Sequence, residues 1–278
     1  MRYRLTGSPL RGTEETIVLR RYPIRLGSML YTLVEPSRER AVEYNRWYEG
    51  DHFYESVLGP GVLQGRRFVA TRDHKALRYP DPNPITGEWA RGSLLSVYWL
   101  LDGEAYETWG ASRARALHDA GRMFPERAHV HTQLYDLAWF AAGDDDGVTP
   151  ELALDHPFAG MVTVIGECPD ADARSRLGDW YRDERLPGYF ERGQVALCLA
   201  FVPRPIRSDA PDDVPKLAAH SGRYLHLYFL EQEPSRSWPA TFAGEGDAVA
   251  TTGLGEAVFA SGFVPTVPGT DRCLDQLW

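Results

Sequence analysis

Apolar runs and amphipathic segments follow one another along the chain in an order that occurs twice. Strand-like runs start the two series at residues 29–35 (MLYTLVE) and 161–167 (MVTVIGE), and each run precedes a segment whose aromatic side chains recur at helical spacing. A second strand, a long proline-containing loop, a third strand, a helical segment and a last strand complete each series. Strand, helix, strand, strand, helix, strand is the order of a ferredoxin-like unit, so the pattern predicts two such units.

The amino-acid sequence itself repeats between the two predicted units. Residues 44–69 align with 177–202, and residues 92–100 align with 222–230, at a separation of about 130 residues. Matching positions are Trp47 and Trp180, Tyr48 and Tyr181, Ser96 and His226, and Tyr98 and Tyr228. Two matching blocks in the same order indicate a tandem duplication.

The repeat sets the expected domain organisation. Unit 1 covers residues 29–140 and unit 2 covers 161–270, and the acidic stretch 141–160 links them. A sheet covered by helices on one face leaves the other face bare, and two bare faces can cover each other. The sequence therefore predicts an α+β fold in which two tandem ferredoxin-like units pack sheet to sheet as an intrachain α+β barrel.

The chain before the repeat, residues 1–28, is interpreted as an N-terminal extension. It contains a strand-like stretch at 16–26 (TIVLRRYPIRL), and Gly27 and Ser28 resemble the remnant of a cloning site in front of Met29. We place no function in this segment.

Two motifs in unit 1 resemble those of a known family. YNRWYEGDH at 44–52 and PGVLQGRRFV at 60–69 are similar to the helix-end and second-strand signatures of the dimeric α+β barrel superfamily, in its EthD-like branch. The resemblance implies two ferredoxin-like units around an apolar cavity. It also implies one of the superfamily's activities: cofactor-free oxygenation, isomerisation, polyketide cyclisation, decarboxylation or heme binding.

Unit 2 departs from this pattern at one place. Glu184 and Arg185 stand where unit 1 has Asp51 and His52. The resemblance implies an acid/base or substrate-orienting role for His52, with Asp51 orienting it, and we expect that role in unit 1 only. The alternative is that both side chains form the hydrogen bonds that end the first helix.

Composition excludes several classes of function. The chain has 278 residues, 43% of them hydrophobic and 25% charged, with a net charge of −9, which is the composition of a globular protein and the wrong sign for a nucleic-acid-binding protein. Three cysteines without CxxC spacing are expected to be free thiols. We expect a cytoplasmic protein, since neither a membrane span nor a secretory signal can be recognised. The common nucleotide, hydrolase and zinc-protease motifs are absent, and a homodimer remains open.

The strongest polar cluster lies in HVHTQLYDLAW at 129–139. Strand alternation predicts that one face carries five of these side chains, which are His129, His131, Gln133, Tyr135 and Trp139. The two histidines are candidate acids or bases, Tyr135 is a candidate donor to an enolate, and Trp139 is a candidate substrate contact. The alternative is that the histidines are hydrogen-bonded structural residues.

Third-strand residues form a second candidate set. Ser96 and Tyr98 share one face in unit 1, and His226 and Tyr228 share the equivalent face in unit 2; we expect all four to line the inter-unit cavity and contact substrate. In the alternative, the two faces of each strand, with Trp99 and Phe229 on the opposite one, are simply covered by helices and by the other unit.

Metal and heme are weaker expectations. His52, His129 and His131 form a three-histidine set only if the fold brings them together, and no nearby carboxylate supports them, so no metal is expected. Heme is an alternative in which His226 or His131 is the axial ligand. Arg66 and Arg67 could meet a substrate carboxylate or could be solvated at a strand edge.

These observations favour a small-molecule enzyme without a cofactor. It would perform acid/base chemistry, namely cyclisation, dehydration, isomerisation, decarboxylation or carbanion oxygenation, on an apolar oxygenated substrate of aromatic or polyketide-like character. Two alternatives remain open: a binding or stress protein that holds an apolar ligand, and a heme-binding barrel protein.

Overall fold

The computed structural model describes residues 5–6, 24–102, 105–144, 147–204 and 220–278. The side chains of 105–109 and 111 lie outside the described part, as does most of the 16–26 stretch. Nine strands are present in these residues: β1 (Leu5–Thr6), β2 (Leu26–Pro36), β3 (Val62–Val69), β4 (Leu94–Leu101), β5 (Arg127–Ala142), β6 (Gly160–Glu167), β7 (Leu197–Pro203), β8 (Arg223–Leu230) and β9 (Glu256–Pro265).

Eight of the strands close into a barrel. Their order around it is β5-β2-β4-β3-β9-β6-β8-β7, and β7 pairs with β5 to complete the circle. Within β2–β5 and within β6–β9, the four strands have the same order around the barrel, which is fourth, first, third, second in chain order. The two joints differ, because β5 and β7 pair along most of β7 whereas β3 and β9 are joined only at Phe68 and Val69.

Helices lie on the outside of the barrel and follow strands β2, β3, β4, β6 and β8. Helix α1 consists of Ala41–Trp47, a π-helical turn Tyr48–His52, and Phe53–Val57. Helix α4 consists of Ala171–Trp180, a π-helical turn Tyr181–Arg185, and Leu186–Glu191. The remaining helices are α2 (Arg72–Ala76), α3 (Ala105–Asp119), α5 (Pro234–Thr241) and α6 (Glu245–Thr251).

Side chains from opposite strands meet inside the barrel. The Tyr31 hydroxyl on β2 donates to Thr163 Oγ1 on β6 at 3.4 Å, although these strands are not neighbours. The Trp99 ring on β4 lies 5.9 Å from Phe201 on β7, centroid to centroid. Eight-stranded barrels have an interior just wide enough for such filling. The centre of this barrel is therefore a packed core.

The linker closes one end of that core. Ala153, Leu154 and Phe158 are buried against the interior residues, and the Trp99 Nε1–H donates to the Pro150 carbonyl at 2.9 Å.

The first barrel strand starts three residues before the predicted boundary at residue 29, because Leu26 and Ser28 already pair with β4. No helix in the described ranges has both the length and the apolar character needed to cross a bilayer.

Candidate functional site

A small pocket lies between helix α4 and the outer face of the sheet. Its volume is about 150 Å³, and its lining comes from α4 and from strands β5, β7 and β8. A cavity of about 150 Å³ accommodates a benzene ring. The polar and aromatic side chains that line it are Trp139, Arg174, Ser175, Tyr181, Arg182, Tyr224 and His226.

The π-helical turn of α4 helps to shape this pocket. It starts at Tyr181, and a second π-helical turn in α1 starts at Tyr48, so both wider turns start at tyrosines that align with each other in the sequence. π-helical turns are often found at functional sites, because they change the direction of the side chains that follow. Here the Tyr181 ring packs edge-on against the imidazole of His226, with centroids 4.5 Å apart.

His226 is the pocket's titratable base. Its side chain is 3% exposed, and burial, with a smaller effect of Arg182, lowers its pKa from 6.5 to about 3. The imidazole is therefore neutral at neutral pH. Nδ1 lies 3.1 Å from the Tyr228 hydroxyl, and within the described part of the chain Nε2 has no hydrogen-bond partner.

Two tyrosine rings pack against His226: that of Tyr181 lies edge-on, and that of Tyr224 has its centroid 4.8 Å from the imidazole. Their hydroxyl oxygens are buried and make no hydrogen bond of normal geometry with the described residues, but they interact with each other, and Tyr181 also interacts with Glu245. Burial raises the pKa of both phenols. Both groups therefore stay protonated and can donate to a ligand.

The buried carboxylate of Glu245 is linked to His226 through the hydroxyl of Tyr228. Glu245 is 0% exposed; Arg185 Nη2 lies 2.9 Å from its Oε2 atom, and the Tyr189 hydroxyl donates to it. The Tyr228 hydroxyl lies 3.5 Å from Glu245 Oε1. Glu245, Tyr228 and His226 therefore form a chain that can hold the Nδ1–H tautomer of the imidazole and leave Nε2 as an acceptor.

Chemically, the pocket combines one neutral base with two hydroxyl donors. A ligand oxygen could accept from Tyr181 and Tyr224 while a neighbouring C–H or O–H faces His226. Such an arrangement binds carbonyl compounds and stabilises the enolate that forms when a proton leaves the adjacent carbon.

The prediction that five side chains of strand β5 share one face is wrong, because two β-bulges interrupt the alternation of the strand. Register shifts occur where β5 pairs with Leu33 and Val34, and again between Leu137 and Trp139. Each bulge adds a residue and exchanges the faces of the strand. Gln133 and Tyr135, with His131, keep the inner face, whereas His129 and Trp139 lie on the helix-covered side.

His131 and Tyr135 lie together in the barrel core. His131 Nε2 is 2.7 Å from the Tyr135 hydroxyl, and the Tyr31 ring packs against both side chains. Burial, with a smaller effect of Arg223, lowers the pKa of His131 to about 3. His129 is on the other face, with its Nδ1 2.9 Å from Thr132 Oγ1. The two histidines therefore do not act on one site.

His52 lies in the π-helical turn of α1. Its ring stacks on Trp47 with centroids 4.8 Å apart, and burial, followed by the charge of Arg127, lowers its pKa to about 4. Asp51 forms an ion pair with Arg122 and makes no hydrogen bond to His52. The proposed orientation of His52 by Asp51 is therefore not the arrangement in the structure.

The third-strand residues share faces as predicted, but the faces point away from the barrel core. Tyr98 lies 2.8 Å from the Tyr48 hydroxyl under α1, and Ser96 is buried on the same side. His226 and Tyr228 lie under α4 and α6 in unit 2. Trp99 and Phe229 fill the barrel interior instead.

These side chains do not form a site that fits a metal ion or heme. The described residues contain no group of three or more His, Cys, Asp or Glu side chains placed to hold a metal ion, and His52, His129 and His131 are divided between the two faces of the sheet. A porphyrin is several times larger than a benzene ring, so the pocket at His226 does not fit one. His131 is enclosed by tyrosines in the packed core. Neither candidate axial ligand fits heme.

Sequence reasoning missed four residues of this region, which are Tyr181, Tyr189, Tyr224 and Glu245. The sequence singles out Tyr181 only as the residue that aligns with Tyr48, and these two tyrosines start the two π-helical turns. Glu245 lies in the glycine-rich segment after α5, where no periodicity pointed to a buried carboxylate.

Comparisons with known proteins show the fold. No family model matches the chain, and no curated protein matches its sequence. The structure is similar to an anthrone oxidase-like protein, with TM-score 0.55, 9% identity, and coverage of 88% of this chain and 95% of that one. It is similar to a proposed chlorite dismutase, with TM-score 0.52, 11% identity, and coverage of 91% and 99%. A heme-binding protein from Thermus thermophilus also matches, with TM-score 0.47, 11% identity, and coverage of 91% and 98%.

The anthrone oxidase-like protein and the proposed chlorite dismutase share the fold of this chain over most of its length. At about a tenth identity they establish the architecture and carry no residue assignments.

Proposed function

We propose that this protein is a small-molecule enzyme that transfers a proton without a cofactor in the pocket at His226. One observation carries the proposal: a buried, neutral imidazole has one nitrogen held by Tyr228 and the rings of Tyr181 and Tyr224 packed against it, in a pocket the size of a ring compound. The Tyr181 and Tyr224 hydroxyls make no hydrogen bond of normal geometry with the described residues, so both can donate to a ligand oxygen.

The chemical step follows from these groups. A C–H bond next to the substrate carbonyl breaks, its proton goes to Nε2 of His226, and its electron pair moves into the carbonyl to give an enolate. Tyr181 and Tyr224 donate to the enolate oxygen. Tyr228, which is linked to Glu245, holds the other side of the imidazole, so that Nε2 faces the substrate. Return of the proton from Nε2 to another carbon completes an isomerisation. If the enolate carbon attacks a second carbonyl of the substrate, the proton goes to the new alkoxide and the product is cyclised. If it attacks dioxygen, the proton goes to the terminal oxygen and the product is a hydroperoxide.

The architecture supports the same class of protein. We propose that the barrel is a tandem of two ferredoxin-like units, since its two halves have the same strand order and both long helices contain a π-helical turn at the matching tyrosine. We also propose membership of the EthD-like branch from YNRWYEGDH. An anthrone oxidase-like relative supports an oxidative version of the reaction.

Solvent exchange of a ring ketone tests the proposal. Cyclohexanone in deuterated buffer loses its α-proton signals in ¹H NMR when an enzyme forms the enolate. We expect the wild-type protein to accelerate this exchange above the buffer rate and His226→Gln to lose at least tenfold of the acceleration. His131→Gln is the matched control, because it removes an equally buried histidine from the barrel core and should keep the wild-type rate.

The outcomes separate catalysis from binding. Exchange that is equal in the wild-type protein, His226→Gln and buffer, together with saturable cyclohexanone binding, would leave a ligand-binding protein. Loss of exchange in His131→Gln instead would place the chemistry in the barrel core and overturn the assignment to His226.

A further inference from the structure

A second and larger groove lies on the opposite half of the barrel, beside helix α1. Its volume is about 800 Å³, within the usual range for ligand sites. Strand β3, helix α1, the linker and the segment after β9 form its walls. Phe53, Tyr54, Leu154 and Pro268 give it apolar surface, and Arg46, Arg66 and Arg67 are its cations.

Arg67 is unusual among these cations. Its side chain is 4% exposed, and one nitrogen, Nη1, is held by Asn45 Oδ1 at 2.7 Å and Glu49 Oε1 at 3.2 Å. The guanidinium carbon lies 4.4 Å from the centre of the Tyr48 ring. Three contacts thus fix the plane of the guanidinium.

The other edge of Arg67 is unpartnered. Nε and Nη2 are buried and have no hydrogen-bond partner among the described residues. These two N–H groups point in parallel and form the fork that a carboxylate accepts with both oxygens. Leaving two charged donors unsatisfied in a buried position is costly, which marks this edge as a place for an acceptor.

Neighbouring arginines are already committed to the protein. Arg66 Nη1 donates to the carbonyls of Leu154 and His156 at 2.7 and 2.8 Å. Arg46 is paired with Asp271. Of the three groove arginines, Arg67 is therefore the one whose Nε and Nη2 groups are held in place and have no acceptor among the described residues.

We infer that this groove binds an apolar molecule that carries a carboxylate, with both carboxylate oxygens on Nε and Nη2 of Arg67 and the apolar body along Phe53 and Tyr54. Glu49 holds the opposite side of the guanidinium and so orients the fork. The site is separate from the pocket at His226, from which it differs in the strands, helix and residues that form it.

Calorimetric titration with 2-naphthoate tests the inference. This two-ring carboxylate is larger than a benzene ring and so exceeds the pocket at His226. We expect saturable binding to the wild-type protein and at least a tenfold weaker affinity in Arg67→Lys, which keeps the charge and loses the fork. Arg72→Lys is the control, because Arg72 is exposed and lies outside the groove, and this variant should stay within twofold of wild type. The neutral 2-naphthamide should bind the wild-type protein at least tenfold more weakly than 2-naphthoate.

If Arg67→Lys does not fold, a crystal of the wild-type protein soaked with a brominated ligand provides a second test. Anomalous scattering from soaked 6-bromo-2-naphthoate should place the bromine in the groove with the carboxylate at Arg67. Bromine density elsewhere, water alone at Nε and Nη2 with no measurable 2-naphthoate binding, or equal affinity of the acid and the amide would overturn the inference. His226→Gln should leave 2-naphthoate affinity unchanged, which separates this result from the outcome at the other pocket.

Discussion

Nδ1 of His226 lies 3.1 Å from the hydroxyl oxygen of Tyr228, so one of the two imidazole nitrogens is occupied inside the protein. The other nitrogen, Nε2, is left for a ligand in the pocket beneath α4. Because burial lowers the pKa of His226 to about 3, this nitrogen is an available acceptor throughout the physiological pH range. Tyr228 therefore fixes the orientation of the imidazole, as a carboxylate does beside a catalytic histidine.

Removal of the Tyr181 and Tyr224 hydroxyls should separate stability from binding. Tyr181→Phe and Tyr224→Phe delete hydroxyls that make no hydrogen bond of normal geometry with the described residues, so the free energy of unfolding should stay within about 0.5 kcal/mol of wild type or rise. Phenol, an analogue of the enol, should bind each variant at least tenfold more weakly, a loss of about 1.4 kcal/mol. Urea unfolding and calorimetric phenol titration measure the two effects.

Tyr189→Phe is the control for these substitutions. The Tyr189 hydroxyl donates to buried Glu245 and does not line the pocket. This variant should lose about 1.5–3 kcal/mol of stability and keep most of its phenol affinity. Equal stability losses in all three phenylalanine variants would contradict the claim that the Tyr181 and Tyr224 hydroxyls make no hydrogen bond of normal geometry with the described residues.

Acid should destabilise the protein through its buried histidines. The pKa values of His131 and His226 fall to about 3 and that of His52 to about 4, while unfolding returns them to about 6.5. Below about pH 6.5 the unfolded state therefore binds more protons. The stability these groups contribute is complete above that pH and is lost as the pH falls towards 3–4, at a slope approaching about 1.4 kcal/mol per pH unit for each histidine.

One histidine variant isolates this effect. His131→Gln should flatten the dependence of unfolding free energy on pH between pH 6 and 4.5 by up to about 1.4 kcal/mol per unit. His118, which is exposed, supplies the control, and His118→Gln should leave the slope unchanged. A His131→Gln protein with the wild-type slope would show that His131 is protonated in the folded state.

Arg78 should be one of the most important side chains for stability. Its Nε donates to Ser261 Oγ at 2.7 Å, and its other nitrogens donate to the carbonyls of Trp89, Arg91 and Gly92. Arg78→Met leaves those buried acceptors without donors and should cost roughly 3 kcal/mol or more. Exposed Arg72 is the control, and Arg72→Met should change the unfolding free energy by less than about 0.5 kcal/mol.

Gly166 leaves room for a pocket residue. A Cβ atom at this position on β6 would lie 2.2 Å from the Tyr224 ring and hydroxyl, so Gly166→Ala should force that ring to move. We expect a loss of about 1–3 kcal/mol from overpacking and weaker phenol binding, measured by the same unfolding and titration experiments. Unchanged values for both would show that the ring of Tyr224 does not depend on this contact.

Periodicity in the sequence was enough to predict the order of elements. The two predicted first strands, residues 29–35 and 161–167, lie within β2 and β6, and the aligned tyrosines Tyr48 and Tyr181 each start a π-helical turn. Elements of this kind follow from local spacing of apolar residues, which a single sequence displays directly.

Sequence could not predict which sheet face lines the barrel interior. Tyr98 and Trp99 alternate along β4, and both faces of that strand are buried, so no polar side distinguishes inside from outside. The two bulges in β5 could not be recognised from the sequence either. One places His129, and the other places Trp139, on the face opposite the one that simple alternation predicts. The site at His226 depends on these tertiary features.

Imidazole ¹⁵N NMR during a phenol titration tests the central claim most directly. We predict that the two-bond ¹⁵N–¹H signals of His226 report a neutral ring protonated at Nδ1 and that phenol shifts its Nε2 resonance while the His131 resonances stay in place. A shift at His131 with His226 unchanged, or saturable phenol binding that moves neither histidine, would contradict the assignment of the site.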